Sequence, residues 1–307
     1  MEYVVTTRDL TKTFGKFTAV DKLTMQIKAG EIYGFLGPNG AGKSTTIRML
    51  CGILEPTSGF GQVMGYDLAK EAEKIKTRIG YMSQKFSLYD DLTVYENLYF
   101  YAGLYSLPVD DRRKRIDEMI EMARLKGREK ELAAHLSGGW KQRLALGCAI
   151  LSKPDILFLD EPTSGISPTS RKMFFNIIQE LANHGTTIMV TTHFMDEAER
   201  CSNIAFISDG RLIANDTPDH LKRNVIQGAL VELELSNPME RLPSIEAIPY
   251  VKECSIHGSL LHVLLEEDRN VAEIESFVGS RANPITPSLE DVFITLARQR
   301  RKEISHE

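Results

Sequence analysis

The fold of this chain is decided by one short stretch of its sequence, Gly37-Pro38-Asn39-Gly40-Ala41-Gly42-Lys43-Ser44-Thr45. The stretch fits the pattern G-x-x-x-x-G-K-[ST], and it lies between a buried-strand pattern over Glu31–Leu36 and a helical pattern over Gly42–Leu50. Glycines let such a loop curl so that several backbone N–H groups point at phosphates, and the helix N-terminus adds partial positive charge. We therefore expect these nine residues to bind a nucleotide, with Lys43 at the β- and γ-phosphates and the Ser44 hydroxyl on Mg²⁺.

A second motif supplies the acidic partner of this loop. The apolar run Ile156–Leu159 leads directly into Asp160 and Glu161, which places two adjacent carboxylates at the end of a buried strand. Asp160 is the expected partner of Mg²⁺, and Glu161 lies one residue further on, where a base could polarise an attacking water. The sequence has no guanine-specific NKxD pattern, which disfavours a GTPase.

The spacing of apolar residues predicts the α/β class. Residues 23–27 alternate between apolar and polar, as expected of antiparallel strands with one exposed face. Further along, helical stretches separate short continuous apolar runs, which are typical of parallel strands buried on both faces. These runs are Glu31–Leu36, Ile156–Leu159, Thr187–Thr191 and Ile204–Ile207. Residues of about 84–153 read as a mainly helical subdomain inserted between two of the parallel strands.

Two domains are predicted. Residues 1–227 carry the motifs above and form a P-loop NTPase domain with an antiparallel β-subdomain and the helical subdomain. After Gly228 the pattern changes to alternating strands, around 231–235 and 261–265, followed by helical stretches. We interpret residues 228–307 as a small α+β accessory domain.

Composition excludes several classes of protein. The 307 residues carry a net charge of −5, which argues against a protein that coats nucleic acid. No stretch approaches the roughly 18 uncharged apolar residues that a transmembrane helix needs, and no signal peptide begins the chain. The four cysteines are far apart and form no CxxC pair, so we expect neither a zinc site nor a disulfide framework. The composition is that of a reduced, cytoplasmic chain.

A third motif gives the sequence a family resemblance. The segment Leu136-Ser137-Gly138-Gly139-Trp140-Lys141-Gln142-Arg143 precedes the acidic strand by about twenty residues. Together with the phosphate loop and Asp160-Glu161, it resembles the LSGGQ signature of the ATP-binding cassette (ABC) proteins. The resemblance covers roughly residues 1–225. It implies that Ser137, Gly138 and Gly139 open a helix that receives the γ-phosphate of ATP held by a second subunit.

The resemblance extends to weaker motifs in family order. Phe14 resembles the aromatic residue that stacks on adenine, and Gln84 resembles the Q-loop glutamine that senses Mg²⁺ and water. His193 resembles the switch histidine that contacts the γ-phosphate. The resemblance therefore implies an ATPase that uses ATP and Mg²⁺, with Glu161, His193 and Gln84 as catalytic residues. The sequence after Thr191 and the tail 287–293 look most like ABC-2-type drug exporters.

Two positions depart from the family pattern. Trp140 stands where the signature normally has glutamine, but the serine and glycines that contact phosphate are intact. Ser167 stands where the family's D-loop normally presents an aspartate across the dimer interface. We expect hydrolysis to survive both changes, and Ser167 puts the coupling between the two sites in doubt.

The resemblance also implies partners. A membrane-spanning permease subunit should contact the chain near Phe86, Leu88 and Tyr89, directly after Gln84, and a second ABC subunit should complete a dimer, expected to be a homodimer. No nucleic acid is expected. The chain should therefore lie on the inner face of the plasma membrane and power multidrug export. Two alternatives remain open: an ABC-type ATPase not coupled to transport, and a catalytically weak partner in an asymmetric heterodimer.

Overall fold

The computed structural model describes residues 2–84, 88–267 and 270–306, with side chains described as far as residue 300. The chain divides into two compact units, Met1–Asn215 and Asp216–Glu307. This division falls just before the helix Pro218–Val225, whereas the boundary predicted from the sequence falls just after it.

The first unit alternates strands and helices along the chain. Its elements are β1 (Tyr3–Phe14), β2 (Phe17–Lys28), β3 (Ile32–Leu36), α1 (Lys43–Leu50), β4 (Ser58–Val63), β5 (Tyr66–Asp67), α2 (Ala72–Lys76), β6 (Ile79–Met82), α3 (Val94–Leu104), α4 (Val109–Met122), α5 (Gly138–Ala149), β7 (Ile156–Asp160), α6 (Pro168–Asn183), β8 (Thr187–Thr192), α7 (Met195–Ala198), β9 (Asn203–Ser208) and β10 (Arg211–Asp216).

A six-stranded sheet forms the centre of this unit, in the order β10-β9-β3-β8-β7-β6. The neighbours β9, β3, β8, β7 and β6 pair in parallel. Every residue of β3, β7 and β8 is buried, because helices of α/β proteins cover both faces of such a sheet. The predicted α/β class is confirmed.

The register of this sheet aligns the residues that will matter for function. Leu36, the last residue of β3, pairs with Thr192 at the end of β8, and Asp160 at the end of β7 pairs with Thr191. Since parallel strands end at the same edge, the loops that follow β3, β7 and β8 all leave from one edge of the sheet.

The first unit also contains an antiparallel sheet, in the order β2-β1-β4-β5. In β2 the alternating residues Leu23, Met25 and Ile27 are buried, and β2 pairs with β1 in antiparallel register. The helical insertion contains α3, α4 and α5. A capping box between Thr93 and Glu96 starts α3, which fixes where this helix begins.

The second unit is a small α+β domain. Its elements are α8 (Pro218–Val225), β11 (Ala229–Glu234), α9 (Pro238–Glu246), β12 (Val251–His257), β13 (Leu260–Leu265), α10 (Asn270–Val278), β14 (Ala282–Pro284) and α11 (Leu289–His306). The strands pair antiparallel in the order β12-β13-β11-β14. Along β11 and β13 the odd-numbered residues Val231, Leu233, Leu261, Val263 and Leu265 are buried in one apolar core.

None of the helices in the described ranges combines the length and the apolar character needed to cross a membrane.

Candidate functional site

The phosphate loop joins β3 to α1 and leaves no room for side chains at two of its glycines. A Cβ on Gly37 would lie 2.3 Å from the Ile207 carbonyl oxygen. A Cβ on Gly42 would lie 2.4 Å from the Ala19 carbonyl oxygen, and the Gly42 φ of 104° is itself a conformation that favours glycine. Gly42 caps α1 without any side-chain hydrogen bond to the N–H groups of the first turn. The loop therefore presents backbone donors close to its surface, as an anion site requires.

Lys43 is buried beneath this loop and is held by three oxygen atoms. Its Nζ donates to the carbonyl oxygens of Gly37 at 2.8 Å and Pro38 at 3.1 Å, and it lies 3.1 Å from Glu161 Oε1. Lys43 is 4% exposed and Glu161 is 8% exposed. Because both charges are buried, each stabilises the other in place of water.

Ser44 and Asp160 form the predicted magnesium pair. The Ser44 hydroxyl donates to Asp160 Oδ1 at 2.9 Å. Burial raises the pKa of Asp160, and the neighbouring Glu161 charge adds to this, although the hydrogen bonds from Ser44 and Thr191 oppose it. A hydroxyl and a carboxylate, with the nearby Gln84 amide, are the hard oxygen donors that Mg²⁺ prefers, and a cation would compensate the two crowded carboxylates. The residues therefore fit the ion.

Two further predicted residues converge on the second carboxylate. Gln84 Nε2 donates to Glu161 Oε2 at 3.1 Å, and His193 Nδ1 lies 3.8 Å from the same oxygen. Glu161 has a φ of 47°, a left-handed conformation that costs a non-glycine residue energy, and such residues cluster at functional sites. Glu161 is therefore the centre at which Lys43, Gln84 and His193 meet.

Sequence reasoning missed a residue that orders both acids. Thr191 lies in the fully buried β8, where its hydroxyl accepts from the Glu161 backbone N–H at 2.8 Å and donates to Asp160 Oδ1 at 3.0 Å. The available signal was a pair of threonines, Thr191 and Thr192, that ends a buried strand directly before His193.

Sequence reasoning also missed Glu197, a buried carboxylate in α7, the short helix that follows β8. Glu197 is buried and accepts hydrogen bonds from the hydroxyls of Thr163, at 2.6 Å, and Thr192. Burial raises the pKa of this carboxyl. The group links the loop after β7 to the loop after β8, which carries His193.

The signature residues form a separate group at the start of α5. Ser137 and Gly138 are exposed, and Ser137 makes no side-chain cap to the helix. Gly139 is buried, and a Cβ there would lie 2.6 Å from the Ser170 hydroxyl. Ser167, where the family pattern has aspartate, caps α6 by accepting from the Ser170 backbone N–H at 3.3 Å.

Trp140 is held between two guanidinium groups. The guanidinium carbons (Cζ) of Arg128 and Arg143 lie 4.1 and 3.5 Å, respectively, from the centroid of the Trp140 ring. Such cation–π contacts fix the indole within the helical insertion.

The remaining predicted residues lie elsewhere. Phe14 ends β1, about half exposed, with the Lys12 ammonium 5.3 Å from its ring centroid. Tyr89 is exposed and packs edge-on against Phe100, and Leu88 is partly buried. Phe86 lies outside the described residues. The structure thus gathers Lys43, Ser44, Gln84, Asp160, Glu161 and His193 into one cluster, which we call the sheet-edge cluster. The roles assigned to Phe14 and to Ser137–Gly139 stay predictions.

Comparison with known proteins gives consistent relatives. A family model described as ABC transporter matches residues 20–164. The probable multidrug ABC transporter ATP-binding protein YbhF of Escherichia coli is 50% identical over 221 residues, which cover 72% of this chain and 38% of YbhF. This chain therefore spans well under half of that relative.

Other relatives match along nearly their whole length. The linearmycin resistance ATP-binding protein LnrL of Bacillus subtilis is 34% identical, with 94% of this chain and 96% of LnrL covered. The Nod factor export ATP-binding protein I of Paraburkholderia xenovorans is 35% identical, with 93% and 94% covered.

Solved structures agree in fold. CbiO1 of Clostridium perfringens, part of the transporter complex CbiONQ, has a TM-score of 0.68 at 28% identity, with 80% of this chain and 98% of that chain covered. A dimeric ATP-binding cassette bound to ADP and Pi in a post-hydrolysis state has a TM-score of 0.64 at 27% identity, with 69% and 98% covered.

Proposed function

This chain belongs to the ABC transporter family of ATP-binding proteins, and on that premise we propose that it is the ATP-hydrolysing motor subunit of an exporter. The predicted family and the P-loop NTPase fold are confirmed. The proposal is carried by the convergence of Lys43 and Gln84 on Glu161, beside the Ser44–Asp160 pair.

ATP binding involves an exchange of partners at Lys43. The ammonium that now contacts Glu161 and two loop carbonyls turns to the β- and γ-phosphates, while the loop N–H groups bind the phosphate oxygens. Ser44 and Asp160 would hold Mg²⁺, and a bound ion would supply positive charge to the phosphate oxygens. Phe14 stacks on the adenine.

Hydrolysis follows from the release of Glu161. While Lys43 contacts its carboxylate, Glu161 is poorly placed to accept a proton; once Lys43 serves the phosphates, Glu161 polarises a water for attack on the γ-phosphate. Gln84 keeps its hydrogen bond to the same carboxylate and orients it, and His193, which is 41% exposed, donates to the γ-phosphate.

Two further proposals, a pair of ATP sites shared by two copies and a membrane-spanning partner, are supported by relatives of this chain. The signature helix has an exposed N-terminus at Ser137–Gly138, and we propose that it binds the ATP of a second copy. One solved neighbour is a dimeric cassette, and relatives carry multidrug, linearmycin resistance and Nod factor export in their names. We propose that a membrane-spanning permease docks near Leu88 and Tyr89 and holds the chain at the inner face of the membrane.

The test is Glu161→Gln in the full chain with Mg-ATP. Because the amide still accepts from its neighbours but cannot take a proton, hydrolysis should fall by about 10²–10⁴-fold while ATP binding persists. Size-exclusion chromatography should then show a dimer that depends on ATP.

The matched control is Glu180→Gln, an exposed glutamate on α6. It should leave both the rate and the dimer population unchanged. A Glu161→Gln chain that hydrolyses ATP at the normal rate would show that another group is the base.

A further inference from the structure

A second cluster of ionisable side chains lies within the accessory unit, in a part of the sequence that contains none of the nucleotide-binding motifs. His257 ends β12, His262 lies in β13 and Asp291 lies in the first turn of α11. Asp291 Oδ1 is 2.9 Å from His262 Nδ1 and 3.5 Å from His257 Nε2. One ligand atom from each of these residues lies within 4.8 Å of the others. We call this group the histidine cluster.

Strand register builds the cluster on one face of the sheet. His262 pairs with Ser255 on β12 and with Glu232 on β11, so these three side chains form a row across three strands. The apolar core of the unit takes the odd-numbered neighbours of β11 and β13, which leaves this row on the opposite face. His262 is 12% exposed, His257 17% and Asp291 4%. The cluster is therefore a largely buried polar group and not a solvated surface patch.

Each imidazole uses its two nitrogens differently. The nitrogens named above face Asp291, whereas His262 Nε2 lies 3.6 Å from Glu232 Oε2 and His257 Nδ1 lies 3.8 Å from Glu290 Oε2. Metal-binding histidines characteristically direct one nitrogen to the ion and the other to a carboxylate that fixes the tautomer. On both rings a carboxylate lies on the side away from Asp291, at ion-pair distance and beyond hydrogen-bond distance.

The carboxylate between the rings is also fixed in place. Asp291 Oδ2 accepts from the Ser288 backbone N–H at 2.8 Å and from the Ser288 hydroxyl at 2.7 Å. This leaves Oδ1 to face the imidazoles, whose rings stack with centroids 3.8 Å apart. The Ser255 hydroxyl lies 3.1 Å from His257 Nε2.

We propose that His257, His262 and Asp291 bind a divalent transition-metal ion, with Zn²⁺ as the best match. Two imidazoles and one carboxylate are a donor set that suits Zn²⁺ and its neighbours in the first row, while Mg²⁺ and Ca²⁺ favour oxygen donors. The fourth position falls to water or to the Ser255 hydroxyl. The ion joins α11 to β12 and β13, and it stabilises the accessory unit.

The experiment uses the full chain without an affinity tag, stripped of metal by a chelator and titrated with Co²⁺ as a spectroscopic probe. We expect one equivalent of Co²⁺ per chain with a visible absorption band of a four- or five-coordinate site, displaced by Zn²⁺ and unaffected by excess Mg²⁺. Zn²⁺ should also raise the Tm of the stripped chain, since a ligand of the folded state stabilises it.

Two kinds of variant locate the site. His262→Gln and Asp291→Asn should abolish the band. Glu232→Gln leaves all three ligands in place and should weaken Co²⁺ binding by about 10–100-fold. Its matched control is Glu234→Gln, an exposed neighbour on the same strand, and His220→Gln controls for a histidine outside the cluster. Both controls should bind normally.

The absence of any visible band, or a band that survives unchanged in Glu232→Gln and Asp291→Asn, would overturn the proposal. A band lost in His220→Gln would move the metal elsewhere and overturn it too.

Discussion

The sheet-edge cluster and the histidine cluster both bring carboxylates to buried places, but they neutralise them differently. At the sheet edge, Glu161 is paired with a full cation, Lys43, while Asp160 accepts hydrogen bonds from the hydroxyls of Ser44 and Thr191. In the accessory unit, Asp291 lies between two imidazoles and a serine.

The pKa values of the two aspartates, Asp160 and Asp291, are consequently shifted in opposite directions. For Asp160, burial raises the pKa and outweighs its hydrogen bonds. For Asp291, burial also acts to raise the pKa, but hydrogen bonds from His262 and Ser288 exceed it and the pKa is lowered. The difference teaches that burial disfavours the charge of Asp160 as long as no cation is bound, whereas hydrogen bonds from His262 and Ser288 favour the ionised form of Asp291, which is the form that binds a metal ion.

The largest expected effect comes from removing the cation at the sheet edge. Lys43→Met leaves Glu161 buried without its ion-pair partner, which should lower the free energy of unfolding by about 3–5 kcal/mol in urea denaturation without nucleotide. It should also abolish ATP hydrolysis.

The double variant Lys43→Met with Glu161→Gln is the control for this prediction. It removes both charges and should recover most of the lost stability. If the single variant is as stable as the unmodified chain, the buried pair does not distinguish the two clusters.

An intermediate effect is expected at Thr191. Thr191→Val removes the hydroxyl that accepts from the Glu161 N–H, so a buried donor loses its partner at a cost of about 1–3 kcal/mol. ATP hydrolysis should fall as well, because Asp160 loses a hydrogen bond that orients it. Thr191→Ser keeps the hydroxyl and should behave normally in both assays. Equal losses in both variants would point to packing in place of hydrogen bonding.

The smallest effect on stability is expected for two aspartate variants, Asp160→Asn and Asp291→Asn, measured in the presence of a chelator. This pair of variants is also the most direct test of the contrast between the two clusters. A raised pKa means that folding disfavours the charged form of Asp160, so the ionised carboxylate destabilises the fold at neutral pH and Asp160→Asn should raise the Tm. A lowered pKa means the reverse, so Asp291→Asn should lower the Tm.

Both differences should shrink as the pH falls. Asp160 takes up its proton first, below its raised pKa, and the benefit of Asp160→Asn is lost there. The stability that Asp291 contributes persists until the pH falls through its lowered pKa. Variants that change the Tm in the same direction at pH 7 would contradict the contrast.

Much of the first unit could be predicted because its signals are local. Continuous apolar runs predict β3, β7, β8 and β9, and the loop between β3 and α1 is identified by its glycines and Lys43. The two motifs predict that Ser44 and Asp160 share one site, and the structure places Ser44 Oγ 2.9 Å from Asp160 Oδ1. The register of β7 and β8 also places Asp160 beside Thr191. The role of Thr191 was missed because its contacts depend on that register, which single-strand patterns do not specify.

The histidine cluster could not be predicted for a related reason. Its residues come from β12, β13 and α11, and no short motif joins His257, His262 and Asp291. Judging zinc by cysteine spacing overlooked a donor set that only cross-strand pairing assembles. The structure also adds α8, α9, β12 and β14 to the strands and helices expected of the accessory domain.

Ser167 illustrates how a departure from a family pattern acquires a local meaning. The sequence presents it as a missing carboxylate, but its hydroxyl caps α6. An aspartate is an equally good cap, so the substitution changes the charge of this position without changing where the helix begins.

The place of Trp140 has an optical consequence. It is the single tryptophan of the chain, one residue after the signature glycines, and two guanidinium groups clamp its ring. Fluorescence excited at wavelengths longer than those that tyrosine absorbs therefore comes from a single residue, Trp140, at the start of α5. The protein carries a native, label-free reporter at the surface where we propose that a second copy binds.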